Sequence, residues 1–263
     1  MNKVITVLLI FVLCSCSSEQ VITSDLSTPP SATTASSVRL HSKLHIGHTD
    51  SFNEEENLLP RITRYLKQGM ASWYGSDFHG KKTASGEIYD MYAMTAAHKT
   101  LPLSSYARIT NLENQRSVIV RINDRGPYHG DRVMDLSYAA AKKLDLDEAG
   151  TGTVEIKAIA PAQALSQLQN TAKNQEKSVF LQVGTFANKV KAQKLQHKIT
   201  NNHLPQPEIL ASKHQGSTLY KVQMGPIISS ASANKLNTQL ARLGITATQF
   251  VTETDQKQIS MIQ

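Results

Sequence analysis

The chain has 263 residues, a formal net charge of +7 at pH 7 and an aromatic content of 6%. This length allows about two domains of ordinary size. Their cores must be built mainly from Val, Ile, Leu and Ala, because aromatic residues are few. The charge favours polyanionic partners or surfaces. Nucleic acid is not predicted as a partner, because the Lys and Arg residues form no basic run and match no nucleic-acid-binding motif.

The N-terminal residues have the pattern of an export signal. Lys3 precedes an apolar run from Val4 to Leu13, and a run of about ten residues is too short to span a bilayer, where about 20 are needed. The run ends directly at Leu13-Cys14-Ser15-Cys16, which resembles the bacterial lipobox. We therefore predict a signal peptide over residues 1–15 and acylation of Cys16. The alternative is an ordinary secretory signal cleaved at the small residues.

Cysteine usage agrees with this prediction. Cys14 and Cys16 are the only cysteines of the sequence, so the mature chain keeps one, which would carry the lipid. Ser17 follows it. In lipoproteins an Asp at this position often retains the protein at the inner membrane, so the sequence resembles lipoproteins that are sorted to the outer membrane.

Residues 16–60 have the composition of a disordered tether. They are rich in Ser, Thr and Pro and lack a sustained apolar period, so they cannot bury enough surface to offset the entropy of ordering. His41, His45 and His48 lie in this segment, but no Cys or carboxylate joins them at a ligand spacing. We predict no metal site and no cofactor.

Residues 66–160 carry short strands separated by turns. The predicted strands are Ala71–Gly75, Tyr92–Ala96, Tyr106–Asn111, Ser117–Ile122 and Gly152–Ile159. Asp135-Leu136-Ser137 predicts a helix cap, with the helix ending at Leu144. Five or six strands and one short helix within about ninety residues favour a small closed barrel over a sandwich.

Residues 177–252 predict a second domain with the order βαββαβ, the split ferredoxin-like arrangement. Its predicted elements are strand 179–186, helix 189–199, strands 207–211 and 220–226, helix 230–243 and strand 247–251. The segment 161–176 lacks a strong apolar stripe and is predicted as a linker, or at most a marginal helix. Residues 253–263 are predicted as a tail.

Six motifs together resemble the rare lipoprotein A family. They are Ala71–Gly75, Phe78–Gly80, Thr83–Glu87, Thr95–His98, Asn123–Pro127 and Asp135–Ser137. The resemblance implies a small double-psi β-barrel, the fold also found in expansins. Residues 176–252 resemble a SPOR domain, the module that recognises septal peptidoglycan stripped of its stem peptides. The predicted fold is therefore mainly β plus α+β: a double-psi barrel followed by a ferredoxin-like SPOR domain, with disordered linkers.

Three residues are the predicted catalytic groups: Asp124, Glu87 and His98. One positioned carboxyl can protonate a glycosidic oxygen and then accept the proton of a sugar hydroxyl, and Asp124, at a strand end, is the predicted residue; a turn residue paired with Arg125 is the alternative. Glu87 is a partner carboxylate, a stabiliser of positive charge on the sugar, or a solvated loop residue. His98 orients Asp124, binds the sugar, or is a buried structural histidine. The resemblance implies a functional role for all three.

The predicted substrate-binding residues lie in both domains. Trp73 and Tyr74 alternate in a strand, so one ring points inward and one outward. A ring that lines the cleft would stack on a sugar face, and core packing is the alternative for at least one of the two. Asp90 is a lesser candidate for substrate binding. In the second domain, Gln182, Lys221 and Gln223 share the sheet face opposite the helices, which we expect to be open and suited to acetamido and hydroxyl groups. The alternative is an ordinary polar surface.

The resemblance implies a lytic transglycosylase that cuts between N-acetylmuramic acid and N-acetylglucosamine without water. The predicted protein is lipid-anchored at the periplasmic side of the outer membrane, is enriched at the division site, and acts on peptide-poor glycan strands, with division-site proteins as possible partners. Two alternatives are a non-catalytic, expansin-like binder of the cell wall and a plain hydrolase.

Overall fold

The computed structural model describes residues 64–214 and 216–253. The predicted signal peptide, Cys16 and the tether lie outside these residues, as do residues 254–263 of the predicted tail. Within the two described ranges, no helix is long and apolar enough to cross a membrane.

The first domain is a closed barrel. Its strands are β1 Leu66–Trp73, β2 Thr95–His98, β3 Tyr106–Asn111, β4 Ser117–Asp124, β5 Met134–Leu136 and β6 Thr151–Ile159. They close in the order β1-β5-β2-β4-β3-β6. The pairs β1–β5 and β2–β4 are parallel, and the other pairs are antiparallel. The prediction of a small closed barrel is confirmed, and the short strand β5 is an addition to it.

The barrel core is built from aliphatic side chains at alternate strand positions, as expected where one strand face is buried. β4 contributes Val118, Val120 and Ile122, and β6 contributes Val154 and Ile156. The helix α1, Tyr138–Leu144, packs against this core. Its cap is Ser137, whose hydroxyl accepts a hydrogen bond from the Ala140 N–H, while Asp135 lies within β5.

The second domain has the predicted βαββαβ order. After the helix α2, Pro161–Lys173, its elements are β7 Val179–Phe186, α3 Lys189–Thr200, β8 Glu208–His214, β9 Ser217–Met224, α4 Ser230–Arg242 and β10 Gln249–Thr252. The strands form an antiparallel sheet in the order β10-β7-β9-β8. Leu181, Val183, Val222 and Met224 face the helices and are buried with Leu240.

Residues 161–176 are mostly helical rather than a linker. The helix α2 buries Ala164, Leu165 and Ala172 and contacts β3 of the barrel as well as β7 and β10 of the sheet. Two of the three buried residues are alanines, so the apolar face is weak in sequence although it is well packed in the fold. The prediction of a linker, or at most a marginal helix, therefore missed a well-packed helix.

The sheet face opposite the helices is covered, contrary to the prediction that it is open. Gln182, Lys221 and Gln223 are all buried, and Lys221 forms an ion pair with Asp90 of the barrel. Strand parity assigned these side chains to one face correctly, but parity carries no information about which part of the chain packs on that face. Whether these residues bind glycan stays a prediction.

Candidate active site

The candidate site lies where the loop Thr83–Glu87 docks on the end of β4. The Ser85 N–H donates to the Asn123 carbonyl (3.0 Å), and the Ala84 N–H donates to Oδ1 of Asp124 (2.8 Å). The Thr83 N–H donates to the Glu87 carbonyl at 2.8 Å, which closes the loop. These bonds bring two of the predicted catalytic carboxyl groups to the same end of the barrel.

Asp124 is half-buried and firmly oriented. Its Oδ1 accepts two main-chain hydrogen bonds, from Ala84 and Arg125, each at 2.8 Å. Its Oδ2 accepts from the Tyr74 hydroxyl at 3.4 Å. Burial, followed by the charge of Asp124, raises the pKa of Tyr74 above its ordinary value, so this hydroxyl stays a donor. The main chain thus holds one carboxyl oxygen and leaves the other for exchange of a proton.

Glu87 is held by a buried arginine. The Arg121 side chain is 1% exposed, and its Nη2 forms an ion pair with Oε2 of Glu87. The Ser85 hydroxyl donates to the same oxygen at 3.0 Å, and the Arg121 Nη1 donates to the Ser104 hydroxyl at 3.0 Å. An ion-paired carboxylate is suited to electrostatic stabilisation rather than to protonation of a leaving group.

His98 is a buried, neutral residue. Its Nδ1 accepts from the N–H groups of Thr100 (3.1 Å) and Leu101 (2.9 Å), so the ring proton belongs on Nε2, which lies 2.9 Å from the Tyr65 hydroxyl. Burial is the main reason why the pKa of His98 falls to about 4, and nearby cationic side chains add to it. At neutral pH this imidazole is therefore uncharged.

Arg125 connects the His98 turn to the strand end. Its Nη1 donates to the carbonyls of His98 (3.2 Å) and Leu101 (2.7 Å). Among the residues that the structure describes, the side-chain hydrogen bonds of His98 lead to Tyr65 and to its own turn rather than to Asp124. The histidine thus shapes the turn that anchors Arg125, the neighbour of Asp124.

The two predicted aromatic residues occupy different environments. Tyr74 lies against the carboxyl of Asp124, and its ring is 5.1 Å from Tyr89 and 5.7 Å from Phe78. Trp73 packs against Tyr138 at 5.3 Å, next to the barrel core. Tyr74, the residue after β1, is therefore the ring beside the candidate site, and its role in binding sugar stays a prediction.

Asp135 is a further carboxyl group near the site, which the sequence analysis placed in a helix cap and in one of the six motifs but did not predict as a site residue. On β5 it pairs with Ala97 of β2, and Ala97 pairs in turn with Asp124. Asp135 is buried, accepts from the Ser72 hydroxyl at 2.6 Å and forms an ion pair with Arg132. Its place near Asp124 follows from strand order, which no local sequence signal encodes.

The remaining predicted binding residues lie away from this site. Asp90 is fully buried and forms an ion pair with Lys221, and Gln223 donates to Gln182 at 3.1 Å. Over the described ranges no group of three or more His, Cys, Asp or Glu side chains could hold a metal ion.

Two family models match the chain. The model described as lytic transglycolase matches residues 66–156, and the SPOR domain model matches residues 175–250. A protein of Neisseria meningitidis serogroup A, named endolytic peptidoglycan transglycosylase RlpA, is 41% identical over 182 residues, which cover 68% of this chain and 73% of that protein. The chain belongs to the RlpA family. The resemblance and the predicted fold class, a double-psi barrel followed by a SPOR domain, are confirmed.

Similarity to other RlpA proteins is higher over a shorter stretch. The RlpA of Pseudomonas aeruginosa strain UCBPP-PA14 is 62% identical over 103 residues, which cover 39% of this chain and 30% of that protein. A crystal structure of the RlpA SPOR domain from Pseudomonas aeruginosa matches 28% of this chain and 96% of its own length, with 25% identity and a TM-score of 0.26.

Proposed function

We propose that this chain is an endolytic lytic transglycosylase. It cleaves the bond between N-acetylmuramic acid and N-acetylglucosamine in peptide-poor peptidoglycan strands and leaves 1,6-anhydro-muramyl ends. The observation that carries the proposal is the carboxyl of Asp124, half-buried and held through one oxygen by two main-chain N–H groups. The family model of the barrel and the names of the relatives support the same reaction class.

Asp124 acts first as an acid and then as a base. Its protonated carboxyl gives a proton to the glycosidic oxygen as the bond from C1 of the muramyl sugar breaks. The C6 hydroxyl of that sugar then attacks C1 and returns its proton to the carboxylate. The products are an anhydro sugar and a free hydroxyl on the glucosamine, and no water is consumed.

Glu87 stabilises the positive charge that develops on the muramyl ring. Within the part of the chain that the structure describes, Arg121 and Ser85 both bind Oε2, so Oε1 is the oxygen available to the sugar. Because the loop that carries Glu87 is bonded to the end of β4, its charge is fixed relative to Asp124 before substrate arrives. Such preorganised charge is the larger part of many catalytic effects.

Sugar rings bind along the rim of the barrel as well as at Tyr74. Phe78 is 51% and Tyr128 79% exposed, so both present large apolar rings to solvent. Phe78 is linked to the carboxyl of Asp124 through Tyr74, and the ring of Tyr128 lies beside Gly126. Exposed rings at these two places are suited to stacking on sugar faces.

The cell envelope is the site of action. We infer that Cys16 carries lipid, that the tether reaches from the outer membrane into the periplasm, and that the SPOR domain concentrates the enzyme on denuded strands at the division site. Two weak sites on one strand raise affinity through effective concentration. The expansin-like alternative is not favoured, since the family model and the named relatives are described as transglycosylases.

The substrate class is tested with residues 17–263, sacculi, and an amidase that removes stem peptides. We expect soluble glycan fragments from amidase-treated sacculi and far fewer from untreated sacculi of the same preparation. Equal release from both would contradict the preference for peptide-poor strands. Binding to treated sacculi without any release would contradict catalysis and support the expansin-like alternative.

A further inference from the structure

The barrel and the SPOR sheet meet in a specific interface. Lys221 Nζ lies 2.5 Å from Oδ2 of Asp90, and both side chains are at most 6% exposed. The Gln249 side chain donates to the Met94 carbonyl at 3.0 Å, and the Tyr92 hydroxyl lies 2.7 Å from Nδ1 of His214. Polar contacts at three separate points fix how the sheet lies on the barrel.

Apolar contacts continue across the same interface. The Phe250 N–H donates to the Tyr106 hydroxyl at 2.9 Å, and the two rings stack with centroids 5.7 Å apart. Tyr106 and Ile159 of the barrel belong to the same buried cluster as Leu181 and Val222 of the sheet. The two domains therefore share part of one core, so docking buries apolar surface as well as the ion pair.

The covered face is made of hydrogen-bonding side chains. Gln249 pairs in register with Gln182, and Gln182 pairs with Gln223, so the three glutamines form a row across β10, β7 and β9, with Lys221 on the same face. All four side chains are buried. Gln and Lys are seldom buried in stable cores, and such a row is suited to binding the acetamido and hydroxyl groups of a glycan.

We propose that the barrel and a denuded glycan strand compete for this sheet face. This proposal rests on the proposed function, in which the SPOR domain binds denuded strands, and on the predicted role of Gln182, Lys221 and Gln223 in that binding. In the docked chain the face is covered, and the SPOR domain recruits glycan only after the barrel has moved away. The apparent affinity for glycan is then lower than the intrinsic affinity by the fraction of undocked chain.

Asp90 controls this equilibrium from the barrel side. Burial alone raises the pKa of Asp90, but Lys221 beside it brings the pKa below its ordinary value. Removal of one partner leaves a buried charge without compensation. In docked Asp90→Asn the Lys221 ammonium is buried without an anionic partner, whereas undocking returns it to water. The variant therefore shifts the chain towards the undocked state.

Docking is measured by the rate at which an amine-reactive ester acylates each lysine, read by peptide mass spectrometry. Lys213 is exposed on the neighbouring strand and serves as the internal reference. We expect Lys221 of the original chain to react far more slowly than Lys213, and Asp90→Asn to raise its rate roughly tenfold or more. Glu148→Gln removes the same charge from an exposed barrel site and is expected to change nothing. Equal rates at Lys213 and Lys221 in the original chain would overturn docking.

Competition is measured as affinity for purified denuded glycan strands. All variants carry Asp124→Asn so that strands are not cut during the experiment. We expect Asp90→Asn to bind several-fold more tightly than its parent and Glu148→Gln to match the parent. Tyr92→Phe, which removes only the hydrogen bond to His214, is expected to show a smaller increase.

Two outcomes would overturn the competition and are distinguishable. If Asp90→Asn exposes Lys221 while glycan affinity is unchanged or lower, the sheet face is not where glycan binds. If no variant binds denuded strands although Lys221 is protected in the parent, docking is supported. The proposal that the SPOR domain binds denuded glycan is then contradicted, and the competition with it.

Discussion

At the scale of single residues, the hydrogen bonds of His98 determine its protonation state. Its Nδ1 accepts two main-chain N–H groups, and a protonated ring would lose both bonds and place a charge in a buried site. The residue therefore supports the turn that holds Arg125, and with it the loop of Asp124. A role in positioning the end of β4, which carries Asp124, fits this geometry better than direct contact with sugar.

The first prediction concerns stability and pH. The pKa of His98 falls from 6.5 to about 4 in the folded chain. Above pH about 6.5 the ring is mostly neutral in both the folded and the unfolded chain, so His98 does not lower the free energy of unfolding. As the pH falls towards about 4, the unfolded chain binds the proton first, and the free energy of unfolding falls. The loss attributable to His98 is on the order of 2 kcal/mol, measured by urea unfolding at pH 7 and pH 4.5.

The control for this prediction is His98→Gln, whose side-chain oxygen can accept from the same turn without titrating. Other groups also titrate over this range, so the comparison is between the two chains rather than between two pH values. The free energy of unfolding of the variant should fall less than that of the original chain. Equal losses in the two chains would show that His98 is not the group responsible.

At the scale of elements, the loop 83–87 is the structure that turns a strand end into a candidate site. Its shape depends on Gly86, which has a φ of +85°, a backbone conformation that other residues adopt only with strain. The loop is bonded to β4 at Asn123 and Asp124, so a change in its shape moves Glu87 relative to Asp124.

The second prediction compares Gly86→Ala with Gly150→Ala. Both glycines have positive φ, +85° and +74°, and open space where a Cβ would lie, so each substitution should cost about 1–2 kcal/mol of stability through backbone strain alone. Only Gly86→Ala should also reduce glycan release, because only Gly86 shapes the loop of Glu87. Equal activity of the two variants would contradict the role of the loop.

The sequence predicted those elements that have local signals, such as alternation of apolar residues or a helix cap. Alternation and caps placed most strands, and they placed α3 and α4 to within a few residues, because these signals are local. The strand β5 has three residues, too few for a period, and the buried face of α2 is mainly alanine. The cover of the sheet face and the pairing of Asp90 with Lys221 are long-range packing, which no local pattern records.

The same distinction applies to the site. Asp124 and Glu87 could be predicted as catalytic residues because they lie in motifs of the family resemblance, and their catalytic roles stay predictions. Arg125 and Asp135 lie in such motifs too, but their contacts and those of Arg121 depend on strand register or on the path of a loop, so they could not be predicted from the sequence.

At the scale of the whole molecule, one segment connects the candidate site with the domain interface. Glu87 begins this segment in the site, Asp90 binds Lys221, and the Met94 carbonyl accepts from both the Arg121 N–H (3.0 Å) and Gln249 (3.0 Å). Undocking of the SPOR domain removes the hydrogen bond from Gln249 to the Met94 carbonyl. The same carbonyl binds the main chain of Arg121, whose side chain holds Glu87. Glycan recruitment and catalysis are thus expected to be linked through residues 87–94.

The most direct test of the proposed chemistry is mass spectrometry of the glycan ends that residues 17–263 release from amidase-treated sacculi, with Asp124→Asn in parallel. We predict 1,6-anhydro-muramyl ends from the original chain and roughly a hundredfold fewer from the variant. Reducing ends from the original chain would mean that water attacks and the protein is a hydrolase. Anhydro ends at equal rates from both chains would mean that Asp124 is not the catalytic acid and base.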